Sequence, residues 1–348
     1  MGMTKRAALI RGDGTGPELV EAMTHVLRAV DSKVELVPCE AGLEWWESHG
    51  GDTFIPEETW RTLEATDACF KGPTTTTAGP GTPKSVAVSI RQKFDLYANI
   101  RPLRTFAGAN APLGPIDFVM VREATEGMYV GLEHRLTNDV AIALRKISRV
   151  SSERIVRYAF RLAAERGWNK VVAIHKANIC KETCGLFLES ARNVAKAFPE
   201  IHFEDYLVDN FAQQLIKNPQ RFNRNVIVGT NLFMDILSEE ASALIASIGC
   251  VYSANMGDRY AMFEPAHGSS PRYKGLNKMN PTATILAGAW MTEYLGEKEK
   301  SEAIFKATEH IIAEGKRVTY DLKGNASTNE MAEAIASKAR EILGQGVD

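Results

Sequence analysis

The sequence predicts an α/β fold with a largely parallel sheet. Short apolar segments of strand length alternate with longer amphipathic segments along most of the 348 residues. Such alternation is typical of parallel sheets that are covered by helices. Glycine- and proline-rich turns separate many of these segments. The length allows two domains or one large one.

The individual elements follow from periodicity. Apolar runs predict strands at residues 6–10, 34–38, 68–71, 118–122, 170–174 and 226–228. Apolar residues on one face predict helices at residues 18–30, from about 85, and at 182–198, 282–294, 301–314 and 328–343. Residues 73–83 are rich in Thr, Gly and Pro and are predicted to form a loop. Residues 130–150 contain β-branched residues without helical period, which predicts a hairpin-like excursion.

The composition argues against several classes of protein. Hydrophobic residues make up 45% and charged residues 24%, and the formal net charge is −2, so no global field favours nucleic acid or a membrane surface. The five cysteines are an odd number, which argues against a disulfide framework and for a reducing compartment. Residues 1–5 show no signal-peptide pattern and no apolar run has membrane-spanning length, so the chain is expected to be cytoplasmic.

A glycine-rich turn follows the first predicted strand. Its glycines, Gly12, Gly14 and Gly16, do not fit the G-x-G-x-x-G spacing of ordinary dinucleotide-binding folds. Glu18 also places a negative charge where a pyrophosphate would lie in such a fold. The pattern therefore argues against an ordinary Rossmann fold, and a simple tight turn remains the alternative.

Three arginines suggest a site for a polyacid. Arg91 lies in the helix after the Thr-rich loop, Arg101 follows ten residues later, and Arg122 ends an apolar strand. Guanidinium groups suit bidentate recognition of carboxylates. Each arginine alone is more often a solvated surface group, but three such positions in a chain without a basic bias favour a carboxylate site.

Carboxylates and proton-transfer groups complete the candidate chemistry. Asp235 and Glu239 have the i, i+4 spacing that places both on one helix face, and Asp209 ends an apolar run. Oxygen ligands of this kind suit Mg²⁺ or Mn²⁺, although a solvated helix face remains the alternative for this pair. Lys176, just after a strand, could shuttle a proton, and Tyr129 could act as the complementary acid.

The chain resembles the β-decarboxylating dehydrogenases, a family that includes isocitrate, homoisocitrate, 3-isopropylmalate and tartrate dehydrogenases. The resemblance covers nearly the whole chain and runs through these segments: residues 12–18, 71–73, 95–102, 122–126, 175–178, 231–240, 253–258 and 263–269. It implies two α/β domains that flank a cleft. The large, cofactor-binding domain would comprise residues 1–98 plus 248–348, and the small domain, with dimerisation, metal and substrate roles, residues 99–247. It also implies a homodimer with shared active sites.

The resemblance also implies residue roles. Arg91, Arg101 and Arg122 would hold substrate carboxylates, with Ser85 at the variable group. Metal ligands would be Asp235 and, from the other subunit, Asp209, with Glu239 nearby. The acid–base pair would be Tyr129 and Lys176 of the partner subunit, with an aspartate such as Asp209 assisting the lysine. The cofactor would contact Thr76, Glu264, His267, Gly268, Arg272, Tyr273, Asn280 and Tyr320.

Substrate and cofactor choice remain open between alternatives. Ser85 and the segment 71–76 look like isocitrate dehydrogenases, whereas Ala87, Ala124 and Glu239 depart from them and leave homoisocitrate, another 2-hydroxy diacid or a non-catalytic regulatory subunit as alternatives. Arg272 stands where enzymes that use NAD commonly carry an aspartate. A cation there suits the 2′-phosphate of NADP, so NADP is expected, with NAD as the alternative.

Overall fold

The computed structural model describes residues 4–77, 79 and 81–344, so positions 78 and 80 of the predicted loop lie outside the described residues. Most strands join one ten-stranded sheet. The strands are β1 (Arg6–Ile10), β2 (Glu35–Cys39), β3 (Ala68–Lys71), β4 (Ala98–Arg104), β5 (Asp117–Glu123), β6 (Glu133–Thr137), β7 (Val140–Ala143), β8 (Lys170–His175), β9 (His202–Leu207), β10 (Val226–Gly229), β11 (Tyr252–Met256) and β12 (Ala261–Pro265).

The strand order of the large sheet is β2-β1-β3-β12-β11-β4-β5-β10-β8-β9. Both ends of the sheet are parallel, but the contacts β12–β11, β11–β4 and β4–β5 are antiparallel. The two parallel halves therefore run in opposite directions. The chain builds β1–β3 first, crosses to the other half, and returns with β11 and β12 to complete the first half.

Helices cover both faces of this sheet. They are α1 (Gly16–Ala29), α2 (Leu43–His49), α3 (Glu57–Glu64), α4 (Val86–Lys93), α5 (Arg149–Glu165), α6 (Thr183–Ala195), α7 (Val208–Lys217), α8 (Asn231–Ser242), α9 (Thr282–Tyr294), α10 (Lys298–Glu314) and α11 (Thr328–Gly344). In β10, Ile227 faces one core cluster whereas Val226 and Val228 face another, as the strand alternation requires. Within the described residues, none of the helices is both long and apolar enough to cross a membrane.

The antiparallel pair β6–β7 forms a separate two-stranded sheet. Every residue of both strands is exposed, including Leu136, Val140 and Ile142. This excursion confirms the hairpin predicted at residues 130–150. Among residues 4–77, 79 and 81–344, the apolar side chains of this hairpin and of the flanking Leu132 and Leu144 have no core to pack into, so they form an unpartnered surface.

Most predicted elements are confirmed within a few residues, and the misses have a physical pattern. β3 and α9 have the bounds that periodicity predicts. The strands β4 and β12 were not predicted because buried charged residues, Arg101 and Glu264, interrupt their apolar runs. The strand β9 was missed as well; it lies at the sheet edge and its residues are at most half-buried. Also missed were β11, α2, α3, α5 and α7. The proposed division into two domains stays a prediction.

Candidate active site

Arg122 and Asp235 form the centre of a polar cluster at the end of β5. Arg122 is buried, and its Nε donates to Asn231 Oδ1 at 2.8 Å. Its Nη1 and the hydroxyl of Tyr129 both donate to the Asp235 carboxylate. The Tyr129 ring lies against the guanidinium, whose carbon is 4.8 Å from the ring centroid. Two residues predicted for substrate and proton transfer therefore meet a predicted metal ligand.

Burial and the Asp235 carboxylate change the titration of this cluster. Burial of the Tyr129 hydroxyl, reinforced by its hydrogen bond to Asp235, raises the pKa of Tyr129. Burial of the Arg122 guanidinium and the nearby charge of Arg91 lower the pKa of Arg122 to about 10, although Asp235 opposes that change. Tyr129 thus keeps its proton, and Arg122 keeps its charge, at neutral pH.

Arg101 connects the cluster to the middle of the sheet. Its Nη1 donates to Glu239 Oε1 at 2.7 Å and to Ser238 Oγ at 2.8 Å, and its Nη2 lies 3.4 Å from Asp235 Oδ1. Asp235 and Glu239 share one face of α8, as their spacing predicts. In one chain the charge of these two carboxylates is balanced by arginines.

A row of buried polar side chains continues from Arg101 across the sheet. Arg101 Nε donates to Asn99 Oδ1 at 3.1 Å, and Asn99 Nδ2 donates to Asn255 Oδ1 at 2.9 Å. The same Asn255 oxygen accepts from Arg91 Nε at 2.7 Å. Arg91 Nη2 in turn reaches Glu264 Oε1 at 2.9 Å.

Lys71 ends this row, with its ammonium 2.9 Å from Glu264 Oε2. Burial of the Glu264 carboxyl raises its pKa, but Lys71 and Arg91 outweigh burial and hold the pKa of Glu264 at about 2. We use the name polar row for the buried polar side chains that the strands β3, β12, β11, β4 and β5 contribute, which are Lys71, Glu264, Asn255, Asn99, Arg101 and Arg122. Arg91 of α4 binds to this row from outside the sheet.

The sequence analysis identified Arg91, Arg101, Arg122 and Glu264 as candidate site residues. It assigned no role to Lys71, Asn99 or Asn255. One signal was present, because Lys71 ends an apolar strand just as Arg122 does. Glu264 is expected to contact the cofactor, but its carboxylate is already bound by protein side chains. Its cofactor role stays a prediction.

A cleft of about 180 Å³ lies beside the polar row. Its lining is mostly hydroxyl and charged, and it includes these residues: Thr74, Thr76, Ser85, Ala87, Arg91, Arg101, Ser253, Glu264, His267 and Gly268. Ser85 precedes the first turn of α4, the helix that carries Arg91. The cleft thus joins predicted substrate residues to predicted cofactor residues.

Lys176 and Asp209 form a separate pair. Lys176 Nζ lies 2.7 Å from Asp209 Oδ1, and the Asp209 side chain is 64% exposed. The hydrogen bond from Lys176 lowers the pKa of Asp209. Register places Ile174 of β8 level with Gly229 of β10, and Gly229 level with Arg122 of β5. Lys176 therefore follows a strand two away from β5, and Asp209 follows β9, which is three away.

The described residues of one chain do not form a complete metal site. No group of three Asp, Glu, His or Cys side chains with metal-binding geometry occurs among them. Asp235 and Glu239 provide oxygen donors of the kind that Mg²⁺ and Mn²⁺ prefer, and a further carboxylate such as Asp209 would have to come from elsewhere.

The glycine turn packs against two other loops. Gly12 and Gly14 have positive φ, and a Cβ on them would lie 2.1 Å from Pro73 O and 2.4 Å from Ser269 O. Thr15 N donates to Ser269 O at 2.9 Å. The glycines are therefore required by loop packing, which explains their presence without a Rossmann phosphate motif.

His267 shows an unmet hydrogen-bonding capacity in this region. Its Nδ1 lies 3.0 Å from Gly268 O, which requires Nδ1 to donate, and burial lowers the pKa of His267, so the ring is neutral with Nε2 as an acceptor. Nε2 is buried and has no partner among the described residues. An orphaned acceptor at the cleft fits a ligand with an N–H or O–H donor.

The remaining predicted cofactor residues fall into two groups. Arg272 is exposed, and the rings of Tyr273 and Tyr320 stack nearly parallel with centroids 6.3 Å apart. Asn280, in contrast, is buried; its amide donates to Asp321 Oδ2 at 2.9 Å and its oxygen accepts from Thr282 N at 2.9 Å. The side chain of Asn280 is thus already hydrogen-bonded within the protein, and its cofactor role stays a prediction.

Comparison with known proteins agrees with this geometry. The family model described as isocitrate/isopropylmalate dehydrogenase matches residues 6–335. The chain is 42% identical to 3-isopropylmalate dehydrogenase of Methanothermobacter thermautotrophicus over 95% of this chain and 97% of that protein. It is also 42% identical to isocitrate/homoisocitrate dehydrogenase of Thermus thermophilus over 98% of this chain and 100% of that protein.

A solved structure is similarly close. Isocitrate dehydrogenase from Methylococcus capsulatus has a TM-score of 0.92 and 42% sequence identity, and the match covers 97% of this chain and 99% of that chain. This similarity confirms the predicted fold. The relatives differ in their named substrates at equal identity, so similarity alone does not choose a substrate.

Proposed function

Since the chain belongs to the isocitrate/isopropylmalate dehydrogenase family, we propose that it catalyses the metal-dependent oxidative decarboxylation of isocitrate to 2-oxoglutarate, with reduction of NADP. The observation that carries this proposal is the buried row of arginines beside a cleft whose lining is rich in hydroxyl groups. A substrate with several carboxylates and a hydroxyl matches that lining, whereas an isopropyl group would face polar atoms.

The guanidinium groups of the buried arginines can bind substrate carboxylates in addition to their protein partners. Arg91 donates from Nε to Asn255 and from Nη2 to Glu264, and its Nη1 has no hydrogen-bond acceptor within the described residues. Arg122 donates from Nε to Asn231 and from Nη1 to Asp235. A guanidinium held by protein on one side and open on the other is pre-organised for an anion.

A divalent metal fits the donor set on α8. Asp235 and Glu239 would hold it together with Asp209 of a second copy, as three oxygen ligands. When bound, the metal would supply Lewis-acid polarisation of the substrate oxygens and stabilise negative charge that develops there. The arginines that now balance Asp235 would then be released for substrate.

The residues of the chain divide the proton transfers. Lys176 of a second copy, ion-paired with Asp209 Oδ1, would accept the proton of the substrate hydroxyl as a neutral amine, after its ammonium has released a proton to solvent. Tyr129 keeps its proton on Oη at neutral pH, which suits the donation of a proton to carbon after carbon dioxide leaves. Arg91, Arg101 and Arg122 hold the substrate throughout.

A homodimer with shared sites follows from this division. Within one chain Lys176 follows β8, two strands from Arg122 of β5, and it pairs with Asp209 and not with the Tyr129–Asp235 cluster, so a second copy would bring these groups together. The β6–β7 hairpin offers an unpartnered apolar surface for that contact, with Leu136 59% exposed. In a two-fold dimer the same surface would serve both copies.

NADP is favoured by the exposed cation at Arg272. Tyr273 and Tyr320 stack beside it, and a 2′-phosphate could pair with the guanidinium. His267 Nε2 would accept a hydrogen bond from the nucleotide. Lys274, however, is paired with Glu44 at 2.7 Å, so only part of the local positive charge is free, and NAD remains the second cofactor.

Homoisocitrate is the second candidate substrate because Ala87 lines the cleft. A methyl group at this position leaves room for one more methylene in the substrate. Variants at Ala87 separate the two candidates: Ala87→Leu should reduce kcat/KM for homoisocitrate more than for isocitrate.

The test is an activity matrix with purified protein. Isocitrate, homoisocitrate, 3-isopropylmalate and tartrate are each assayed with NADP or NAD, with Mg²⁺ or Mn²⁺ and after chelation. We expect the highest kcat/KM for isocitrate with NADP and loss of turnover without metal. Absence of turnover with isocitrate would refute the first candidate, and absence with every pair would support a non-catalytic regulatory subunit. Arg272→Asp should move the cofactor preference towards NAD.

A further inference from the structure

Glu44 lies between the glycine turn and the loop that carries Arg272. Its Oε1 accepts from Gly14 N at 2.9 Å, and its Oε2 lies 2.7 Å from Lys274 Nζ. One carboxylate therefore joins the backbone of the glycine turn to an ammonium group two residues beyond Arg272.

The position of Glu44 is built into the fold. It stands in the first turn of α2, and the carboxylate of Asp13 accepts from the backbone N–H groups of Leu43 and Glu44 at 3.1 and 2.9 Å. Asp13 is buried and also accepts from Thr75 N at 2.7 Å. The start of α2 is thus anchored to the glycine turn, and the Glu44 side chain extends from a fixed backbone.

Arg272 and Lys274 are therefore not equally available to bind an anion. Lys274 is neutralised by Glu44, and its hydrogen bond to the carboxylate lowers the pKa of Glu44, which keeps Glu44 ionised at neutral pH. Arg272 is exposed and forms no ion pair among the described residues. Of the two cations that flank Tyr273, Arg272 is therefore free to meet a phosphate dianion, whereas Lys274 is compensated by the Glu44 carboxylate.

We propose that Glu44 is a specificity-determining residue for the nucleotide: it withholds Lys274 from a 2′-phosphate and leaves the site able to accept NAD as well as NADP. The inference rests on the proposed placement of the cofactor at Arg272 and Tyr320. A carboxylate near the ribose repels a 2′-phosphate but can accept hydrogen bonds from a free ribose hydroxyl, so it narrows the difference in affinity between the two cofactors.

The expected effect of Glu44 is moderate. Both side chains of the Glu44–Lys274 pair are partly exposed, so solvent screens their charges. For a phosphate dianion bound beside Arg272, we expect removal of the Glu44 charge to raise the preference for a ribose with a 2′-phosphate over one without it roughly threefold to tenfold. The change should shrink as the salt concentration rises.

The test measures binding of two nucleotide fragments, adenosine 2′,5′-bisphosphate and adenosine 5′-monophosphate, to the full-length protein by calorimetry. The quantity compared is the affinity for the bisphosphate divided by the affinity for the monophosphate. Glu44→Gln keeps an oxygen for Gly14 N–H but removes the charge, so this affinity ratio should rise. Glu47→Gln is the matched control, since Glu47 is exposed on the same helix and should leave the ratio unchanged.

A second variant tests the pair from the other side. Lys274→Gln leaves the Glu44 carboxylate uncompensated and should lower the ratio below that of the unmodified protein, while exposed Lys278→Gln serves as its control. An unchanged or reversed ratio in either test variant overturns the inference. Failure of both fragments to bind overturns the cofactor site together with it, whereas a shifted ratio in a protein without dehydrogenase turnover leaves the inference standing and refutes only the proposed reaction.

Discussion

The arginine cluster at β4 and β5 and the Lys176–Asp209 pair at β8 and β9 belong to one sheet but to different environments. Arg101 and Arg122 are buried, and each is held by several protein acceptors. Asp209 is largely exposed, and Lys176 is its only ion-pair partner in the part of the chain described. The side chains of the first region are held by protein contacts within one chain, whereas the Asp209 carboxylate of the second is open to solvent.

The contrast in burial matches the way in which the proposed chemistry is divided. Groups that must keep a fixed geometry around a polyanion are buried, where hydrogen bonds to neighbours hold them in place. Groups that would act on a second copy's site must instead lie at the surface before assembly. Five predictions test this division and the contacts behind it, in order of expected effect.

Removal of the proposed base should abolish turnover without unfolding the chain. For Lys176→Met we expect kcat to fall roughly a thousandfold, in the range of general acid–base contributions. The side chain is not part of a core, so the melting temperature should change little. Turnover assays and thermal unfolding measure both, with Lys181→Met as the exposed control on the same segment. A kcat near that of the control would remove Lys176 from the mechanism.

Mixed dimers should recover activity if the two regions act across an interface. Asp235→Asn and Lys176→Met chains should each be inactive alone. After the two are dissociated and reassembled together, a two-fold dimer of mixed chains has one intact site, so random mixing should restore about a quarter of the unmodified activity. The mixture is assayed beside each variant alone. Absence of recovery, despite hybrid dimers seen by native mass spectrometry, would contradict shared sites.

Loss of the Glu264 charge should destabilise the arginine region. Glu264→Gln leaves Lys71 and Arg91 buried without their carboxylate, and we expect a loss of about 3 kcal/mol in the free energy of unfolding. Exposed Glu293→Gln is the control. Denaturant unfolding at neutral pH measures both; a loss equal to that of the control would mean that the ion pairs contribute nothing.

The same substitution has a pH signature. The folded-state pKa of Glu264 lies at about 2, below its ordinary value of 4.5, so its stabilisation is present above pH 4.5 and is lost as the pH falls towards 2. The stability difference between the unmodified protein and Glu264→Gln should therefore shrink over that interval. A difference that stays constant would contradict the low pKa.

The smallest effect on the single chain is expected in the hairpin. Leu136 is exposed, so Leu136→Lys should change the free energy of unfolding of a monomer by less than about 0.5 kcal/mol. If the hairpin lies in the contact of the proposed dimer, however, the same charge should weaken dimerisation. Sedimentation at several concentrations measures this, with Arg135→Lys as a charge-conserving control. Unchanged dimerisation would place the contact elsewhere.

The sequence alone predicted the α/β class, most strands and helices, the hairpin and the three arginines of the candidate site. These features depend on local patterns: strand and helix periods, and charged residues in otherwise apolar surroundings. The family resemblance, which rested on ordered motifs, was sufficient to predict the fold that the comparisons confirm.

The tertiary structure decided which of these residues meet. Lys71, Asn99 and Asn255 lie in strands that are distant in sequence, and only the order β3-β12-β11-β4-β5 brings them into one polar row. Glu44 reaches Lys274 across 230 positions for the same reason. Local sequence carries the preference of each residue for burial or exposure, but not the pairing of strands, and hydrogen bonds between side chains depend on that pairing.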